Sequence, residues 1–264
     1  MDLSSLEKGL ALLDQIGLAD RPLTPAELAE QSGLNRSSTY RLCDVLERGG
    51  WIERRGDATA RSTIVTVGST SLGFSVLLTN KFDTPTTLQP IIAELAHSVS
   101  ETIHVGVLDH THLVHVAGAV PDDGPNMAAQ IGSRVPAHAT ALGKALLATK
   151  SREELLQLYL DEDLPVKTSA TISSRTDLLR ALDGVASVGY ALDEAESREG
   201  VRCVGVPVFG PEGVAVLALS VTSMPARLDD ERLGSVVEAT AETARLATTA
   251  IGGHAPAGWP LAIL

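Results

Sequence analysis

The chain has 264 residues, 44% of them apolar, with a formal net charge of −12. That is enough apolar material for one large packed domain or two modest ones, and the acidic balance argues against a protein coated along its length by nucleic acid. The only two cysteines, Cys43 and Cys203, lie inside apolar runs, which excludes a disulfide framework and fits a reducing compartment.

The opening MDLSSLEKGL has neither a basic n-region nor a long apolar core, and no segment approaches about 18 uninterrupted apolar residues. Neither export nor a membrane span is expected, and the expected location is the cytoplasm. Residues 5–16, SLEKGLALLDQI, place Leu6, Leu10, Leu13 and Ile16 at helical spacing and predict an amphipathic first helix. In LTPAELAEQSGL, Thr24 is a cap, Pro25 suits the first helical position, and Glu27 stands where a capping box has its reciprocal partner. Ser32 and Gly33 end this short helix, and Asn35 caps another that runs to about Arg48. Two helices joined by a short glycine-containing turn make a helix-turn-helix. In the second, Thr39, Leu42, Cys43 and Leu46 face inward, which leaves Arg36, Ser37, Ser38, Tyr40 and Arg41 around the exposed N-terminal half. Those residue types read a DNA groove.

The next stretch, WIERRGDATARSTI, reads as a hairpin with Arg54, Arg55 and Arg61 near its tip, the wing of a winged helix. From Asn35 to Arg61 six arginines stand against four acids, so a basic excess is confined to the suspected reading surface. Fields at physiological salt decay over about 8 Å, so an acidic chain with such a patch can still grip phosphate. A helical hairpin that serves only a core is the competing reading. The capping box, the Ser/Arg-rich helix start and the arginine hairpin together favour DNA.

Residues 69–81, STSLGFSVLLTNK, read as a linker helix with Leu72, Phe74 and Val76 on its apolar side, and DTPTTLQP then punctuates the chain. TIHVGVL and LVHVAGAV are β-rich runs separated by DHTH, a hairpin signal. Helices are expected at about 140–149, 151–160 and 176–188, and strands at GYALD, VRCVGVPVF and VAVLALSVTS. A final helix from Asp229 to about Ile251 presents Leu233, Val237, Thr240, Ala244 and Ile251 on one face. Hairpins interleaved with helices imply an α+β domain with a largely antiparallel sheet. The expected division is 1–68 for the winged helix-turn-helix, 69–84 for the linker helix, 85–251 for the α+β domain and 252–264 for an irregular tail.

In PAHATALGKALL, Pro136 breaks what precedes and Thr140 is a cap, so the N–H groups of Ala141, Leu142 and Gly143 are expected to lie unpaired at a helix start that attracts carboxylates. Ser220 and Thr222, two apart on a strand, share a face, while Asp193 and Cys203 flank the neighbouring β segment. His104, His110, His112 and His115 raise the question of a metal, because a DHTH turn would set His104 and His115 on one sheet face as diagonal neighbours. The preferred reading is turn histidines in solvent and a pair lining or underlying a cavity, with no metal. An enzyme using Cys203 as nucleophile and His138 or His104 as base is the alternative function. It is disfavoured because Cys203 lies among valines, whereas a nucleophile wants an electropositive, exposed setting. No catalytic residue or cofactor is expected.

The stretches SLEKGLALLDQI, LNRSSTYRLCDVLERGGWIER, GSRVPAHATALGKALLA, GYALDEAESREGVRCVGVPVF and VLALSVTS occur in that order from about Ser4 to Ile251. Together they resemble the IclR family of bacterial transcriptional regulators. The resemblance implies a winged helix-turn-helix, a linker helix and an effector-binding domain of GAF/PAS-like fold. It also implies binding to double-stranded operator DNA as a dimer or dimer of dimers, most often as a repressor and sometimes as an activator. It maps the family's small organic-acid pocket onto Ala141, Leu142, Asp193, Cys203, Ser220 and Thr222, and it leaves Asp193 to accept from a ligand hydroxyl or hydrate. On the DNA side, Arg36, Ser37, Ser38, Tyr40 and Arg41 would contact bases or phosphates, and Arg54 and Arg55 the backbone. The sequence departs from the family pattern in three places: the hairpin end lacks a Tyr-Leu-Gly motif, Ala137 precedes His138 where leucine is common, and Thr222 replaces a serine.

Overall fold

A computed structural model describes residues 3–19, 21–55, 63–73 and 84–260, with the backbone alone at 3–4 and 84–86. The chain divides into two compact units, Met1–Asp83 and Thr84–Leu264. No described helix is long and apolar enough to cross a membrane.

The N-terminal unit runs α1 (Leu3–Leu18), α2 (Pro25–Ser32), α3 (Arg36–Arg48), β1 (Ile52–Arg55) and β2 (Ile64–Val67). Thr24 accepts from the Glu27 N–H, the Glu27 carboxylate accepts from the Thr24 N–H at 2.7 Å, and Pro25 opens the helix, so α2 begins as expected. It ends at Gly33, whose φ of 66° is a left-handed conformation that glycine adopts without Cβ strain. Leu12, Ile16, Leu28, Cys43, Ile52 and Val65 form the core. The first helix presents a different face from the one its leucines suggested: Gly9, Leu12 and Ile16 are buried, whereas Leu6 and Leu10 are 58% and 53% exposed. Gly9 takes the inward position because α3 approaches there, with Leu42 at van der Waals distance from where a Cβ would stand. Strands β1 and β2 pair antiparallel from Ile52 opposite Val67 to Arg55 opposite Ile64, and Leu23 bridges to Val65 on the far side. The hairpin is therefore present, with its tip and Arg61 outside the described residues. Residues 69–73 are helical, and the rest of the expected linker helix, including Phe74 and Val76, also lies outside them.

The C-terminal unit opens with a helix where the sequence suggested punctuation. Helix α4 spans Thr84–Val99 and contains Pro90. Leu88, Ile92, Leu95, Ala96 and Val99 form a buried stripe at helical spacing. Each large apolar side chain so buried contributes about 1.5–3 kcal/mol, and several together outweigh the ~3 kcal/mol that proline costs inside a helix. Strands β3 (Thr102–Asp109), β4 (His112–Ala119), β5 (Arg134–Pro136), β6 (Ala191–Glu194), β7 (Arg202–Phe209) and β8 (Ala215–Ser223) form one antiparallel sheet in the order β5-β4-β3-β8-β7-β6. The three-residue β5 has too little pattern to be read from sequence. Helices α5 (Ala141–Leu147), α6 (Arg152–Leu158), α7 (Arg175–Val188) and α8 (Asp230–Ala250) complete the unit, close to their expected bounds.

Both faces of the sheet's centre are covered, which is why β7 and β8 read as apolar runs and not as alternations. Val204, Val206, Val208, Leu217, Leu219 and Val221 pack with α4 and α8, while Ala218 on the opposite face joins the core made with α5, α6 and α7. The remaining residues of that second face leave room for a cavity. The tail is irregular up to Pro260, with the Trp259 ring edge-on to Phe209 at 5.5 Å between centroids.

Candidate functional site

On the N-terminal unit, Asn35 caps α3 by accepting from the Ser38 N–H at 2.9 Å, and Thr39 and Cys43 anchor the opposite side at 0% exposure. Arg36, Ser37, Tyr40 and Arg41 are exposed and Ser38 is half-buried, so one side of the helix start is open to a groove. Arg54 is placed differently from expectation. Its guanidinium donates to Asp44 at 2.7 Å and to Glu47 at 2.8 Å, and its N–H donates to Glu47 at 3.2 Å. The hydrogen bond from Arg54 is the main reason the Glu47 carboxyl titrates below its usual range. Arg54 therefore ties β1 to α3 and neutralises two acids beside the reading surface; it does not extend as a free phosphate clamp. Among the described residues Arg55 pairs with exposed Glu53 at 3.2 Å, a surface pair worth about 0–1 kcal/mol.

On the C-terminal unit the sheet register assembles the pocket. Asp193 lies opposite Cys203, Cys203 opposite Thr222, and Thr222 opposite Thr102, in one row across four strands. The next row on the same face is Ala191, Gly205, Ser220, His104 and Gly118. Gly205 is needed there, because a Cβ would stand 2.5 Å from the carbonyl of Ala141. The start of α5 thus rests directly on the sheet. A cavity of about 250 Å³ lies at this junction, and all six residues assigned from the resemblance, Ala141, Leu142, Asp193, Cys203, Ser220 and Thr222, line it. His104, His115, Met127, Val135, Ser197 and Arg198 line it as well.

The hydrogen bonds refine the expected roles. Thr140 caps α5 by accepting from the Gly143 N–H at 2.9 Å, so of the three amides expected to be open, only those of Ala141 and Leu142 lack a partner among the described residues. Asp193 is already occupied: one oxygen accepts from the Glu196 N–H at 2.7 Å and the Ser197 N–H at 3.3 Å, the other from the Ser197 hydroxyl at 2.5 Å. Burial still raises its pKa against those bonds. It holds the 194–198 turn, which also carries Ala195 at a φ of 61°. A buried ion pair between Lys144 on α5 and Glu196 fastens the same turn from below. Ser197 and Arg198 were missed in sequence. The available signal was Asp193 three and four residues before amides that it can bond, an Asx-type turn.

Cys203 is buried among valines and its thiol is pushed up to about 12, chiefly by burial, so it is not a nucleophile at neutral pH. Burial lowers His104 to about 4, with the neighbouring His115 ring adding to the effect, and burial lowers His115 as well. These two rings meet edge-on at 5.3 Å between centroids against the cavity, as the sheet-face argument anticipated. No cluster of three or more His, Cys, Asp or Glu side chains suited to a metal occurs among the described residues. His138 is buried and donates from Nε2 to the Pro165 carbonyl at 3.0 Å, fixing the loop ahead of α5.

A chain with an exposed arginine-bearing helix in one unit and a cavity lined by several polar groups in the other matches known proteins over nearly its whole length. The model of the IclR helix-turn-helix domain matches residues 5–56, and that of the bacterial transcriptional regulator IclR C-terminal domain matches residues 77–248. The chain belongs to the IclR family. It is 31% identical over 251 residues to the HTH-type transcriptional regulator KdgR of Escherichia coli (strain K12), covering 95% of this chain and 94% of that one. It is 30% identical over 254 residues to the transcriptional repressor IclR of the same organism, covering 94% and 90%. The crystal structure of an IclR homologue complexed with 4-hydroxybenzoate from Microbacterium hydrocarbonoxydans superposes with a TM-score of 0.77 at 20% identity, over 94% of this chain and 98% of that one. This member of the IclR family is therefore a DNA-binding transcriptional regulator with a C-terminal effector domain of GAF-like α+β fold, not an enzyme.

Proposed function

We propose that this IclR-family regulator is a repressor that binds its operator as a dimer or dimer of dimers and is controlled by a small organic acid held in the cavity beside α5. Two copies of α3 would enter successive major grooves about 34 Å apart, with Arg36, Ser37, Ser38, Tyr40 and Arg41 on bases and phosphates and Arg55 on the backbone. The effector carboxylate would meet the amides of Ala141 and Leu142 and the hydroxyls of Ser220 and Thr222, with Cys203 as an apolar wall and Asp193 as the anchor of the turn that closes the rim. The observation that carries this reading is the convergence of those donors, from α5 and β8, on one cavity of about 250 Å³. That volume is small for a ligand site and suits a compact acid. Two relatives, a transcriptional repressor and a homologue holding 4-hydroxybenzoate, support the sign and the ligand class.

Fluorescence anisotropy with the promoter DNA of the protein's own gene tests the proposal. Specific binding that falls on addition of a small carboxylic acid is expected. Protein that ignores that DNA at low salt, or an operator complex that no acid in a broad panel alters, overturns it.

A further inference from the structure

The polar atoms behind the cavity have a fixed donor and acceptor sense, and one residue sets it. The Ala129 N–H donates to His104 Nε2 at 3.0 Å. An N–H cannot point at another N–H, so Nε2 is bare, and a neutral imidazole then carries its proton on Nδ1. His104 Nδ1 lies 2.9 Å from the Thr222 hydroxyl oxygen, so His104 donates and Thr222 accepts. The Cys203 thiol also lies against that oxygen, at 3.5 Å. With His104 unable to accept, the Thr222 proton has only a weak sulfur acceptor or the cavity. Ser220, 2% exposed and one row along, has a hydroxyl with no hydrogen-bond partner among the described residues, and it faces the same space. Arg198 stands at the rim as an exposed cation, while Asp193 is consumed by three donors of its own turn. Thr222 thus offers the cavity a donor of fixed sense, while Ser220 beside it is free to donate or accept.

We infer that His104 is a positioning residue of the effector site, which holds Thr222 with its hydroxyl proton turned into the cavity, so that the ligand atom facing Thr222 must be an acceptor. The inference deepens the proposed function and rests on this cavity being the effector site. His104 acts through Thr222 and through the 125–129 segment. That segment is pinned at a second point by Thr102, whose hydroxyl donates to the Pro125 carbonyl at 2.8 Å and accepts from the Met127 N–H at 3.1 Å. His115 supports the ring from the side, with its own Nδ1 3.1 Å from the Ser133 hydroxyl.

Two measurements on the full-length protein test this. Two-bond proton–nitrogen correlation spectra of histidine-labelled protein at neutral pH should show His104 protonated on Nδ1 and bare on Nε2; the opposite tautomer overturns the inference. Calorimetry should then compare the binding of benzoate, 4-hydroxybenzoate, pyruvate and glyoxylate to the wild type, His104→Phe, His104→Gln and Thr222→Val. The acids that bind the wild type should weaken on the order of tenfold to a hundredfold in His104→Phe and in Thr222→Val. The glutamine variant, which keeps one donor and one acceptor, should recover part of the loss. If His104→Phe does not fold, Thr222→Val carries the comparison alone. Undiminished acid binding in either variant overturns the role of His104 and leaves the proposed function standing. Failure of every acid on the wild type, with the tautomer as expected, removes the organic-acid reading itself and the carboxylate assignment with it.

Discussion

The N-terminal unit keeps its chemistry exposed to solvent, and the C-terminal unit keeps its own buried. Around the start of α3, Arg36, Ser37, Tyr40 and Arg41 stand in solvent on a scaffold that only has to hold the helix still. Around the cavity, His104, Asp193, Ser220 and Thr222 are all less than a tenth exposed, and three of the four are locked by hydrogen bonds whose direction matters. An exposed site is specified by residue type and charge density, and single changes weaken it by degrees. A buried site is specified by which atom carries each proton, so a single change costs stability and recognition together. The two tryptophans, Trp51 and Trp259, fall one in each unit, so single-tryptophan variants report each unit's unfolding separately.

The largest expected difference comes from the ion pair under the 194–198 turn. Lys144→Met strands the Glu196 carboxylate, whose second oxygen already lacks a partner, and should cost about 3–5 kcal/mol. In urea titrations the Trp259 transition should move and the Trp51 transition should not, and adding Glu196→Leu should return most of the loss. Equal shifts of both tryptophans would break the contrast between the units. Acid is next. All seven histidines lie at or beyond His97, so the N-terminal unit has none. Burial holds native His104 down at about 4, below the ordinary 6.5 of an exposed histidine, so over that window the unfolded chain binds the extra proton and stability rises with pH. The contribution is complete above about pH 6.5 and lost as pH falls toward 4, on the order of 3 kcal/mol, with His115 and His138 adding in the same direction. Urea midpoints from pH 7 to 4 should fall for Trp259 and stay nearly level for Trp51.

Arg41→Ala should weaken operator binding by about 1–3 kcal/mol, and if it contacts phosphate it should also lower the salt slope by about 1. Anisotropy titrations at several salt concentrations check this, and the urea midpoint of Trp259 should not change. The smallest effect is Thr24→Ala, which removes the α2 cap and should cost the N-terminal unit about 1 kcal/mol, read as a shift of the Trp51 midpoint alone.

What was legible in the sequence follows the same division. The α2 cap, the α3 cap at Asn35 and the exposed arginines are local facts, settled within a few residues, and they read correctly. Ser220 with Thr222 was legible because a strand alternates. The bond between His104 and Thr222 was not, since those residues are 118 positions apart and meet only through sheet register. Arg54 misled because charge was visible while its partners, a helix turn away in space, were not. Leu6 and Leu10 misled because apolar type was read as burial, whereas the neighbour at Gly9 decides which face α1 turns inward. The α4 stripe was hidden behind two prolines that resembled a linker.

Gly205 carries a consequence for how ligand preference can drift among such proteins. Its missing side chain is what lets the α5 backbone touch the sheet, and there is no slack at that point of contact. The depth of the chamber is therefore set by main chain against main chain and is not free to vary. With the effector in this cavity as proposed, a change of preferred metabolite would have to come from the walls, where Val135, Val201 and Met127 can be enlarged or trimmed without lifting the floor.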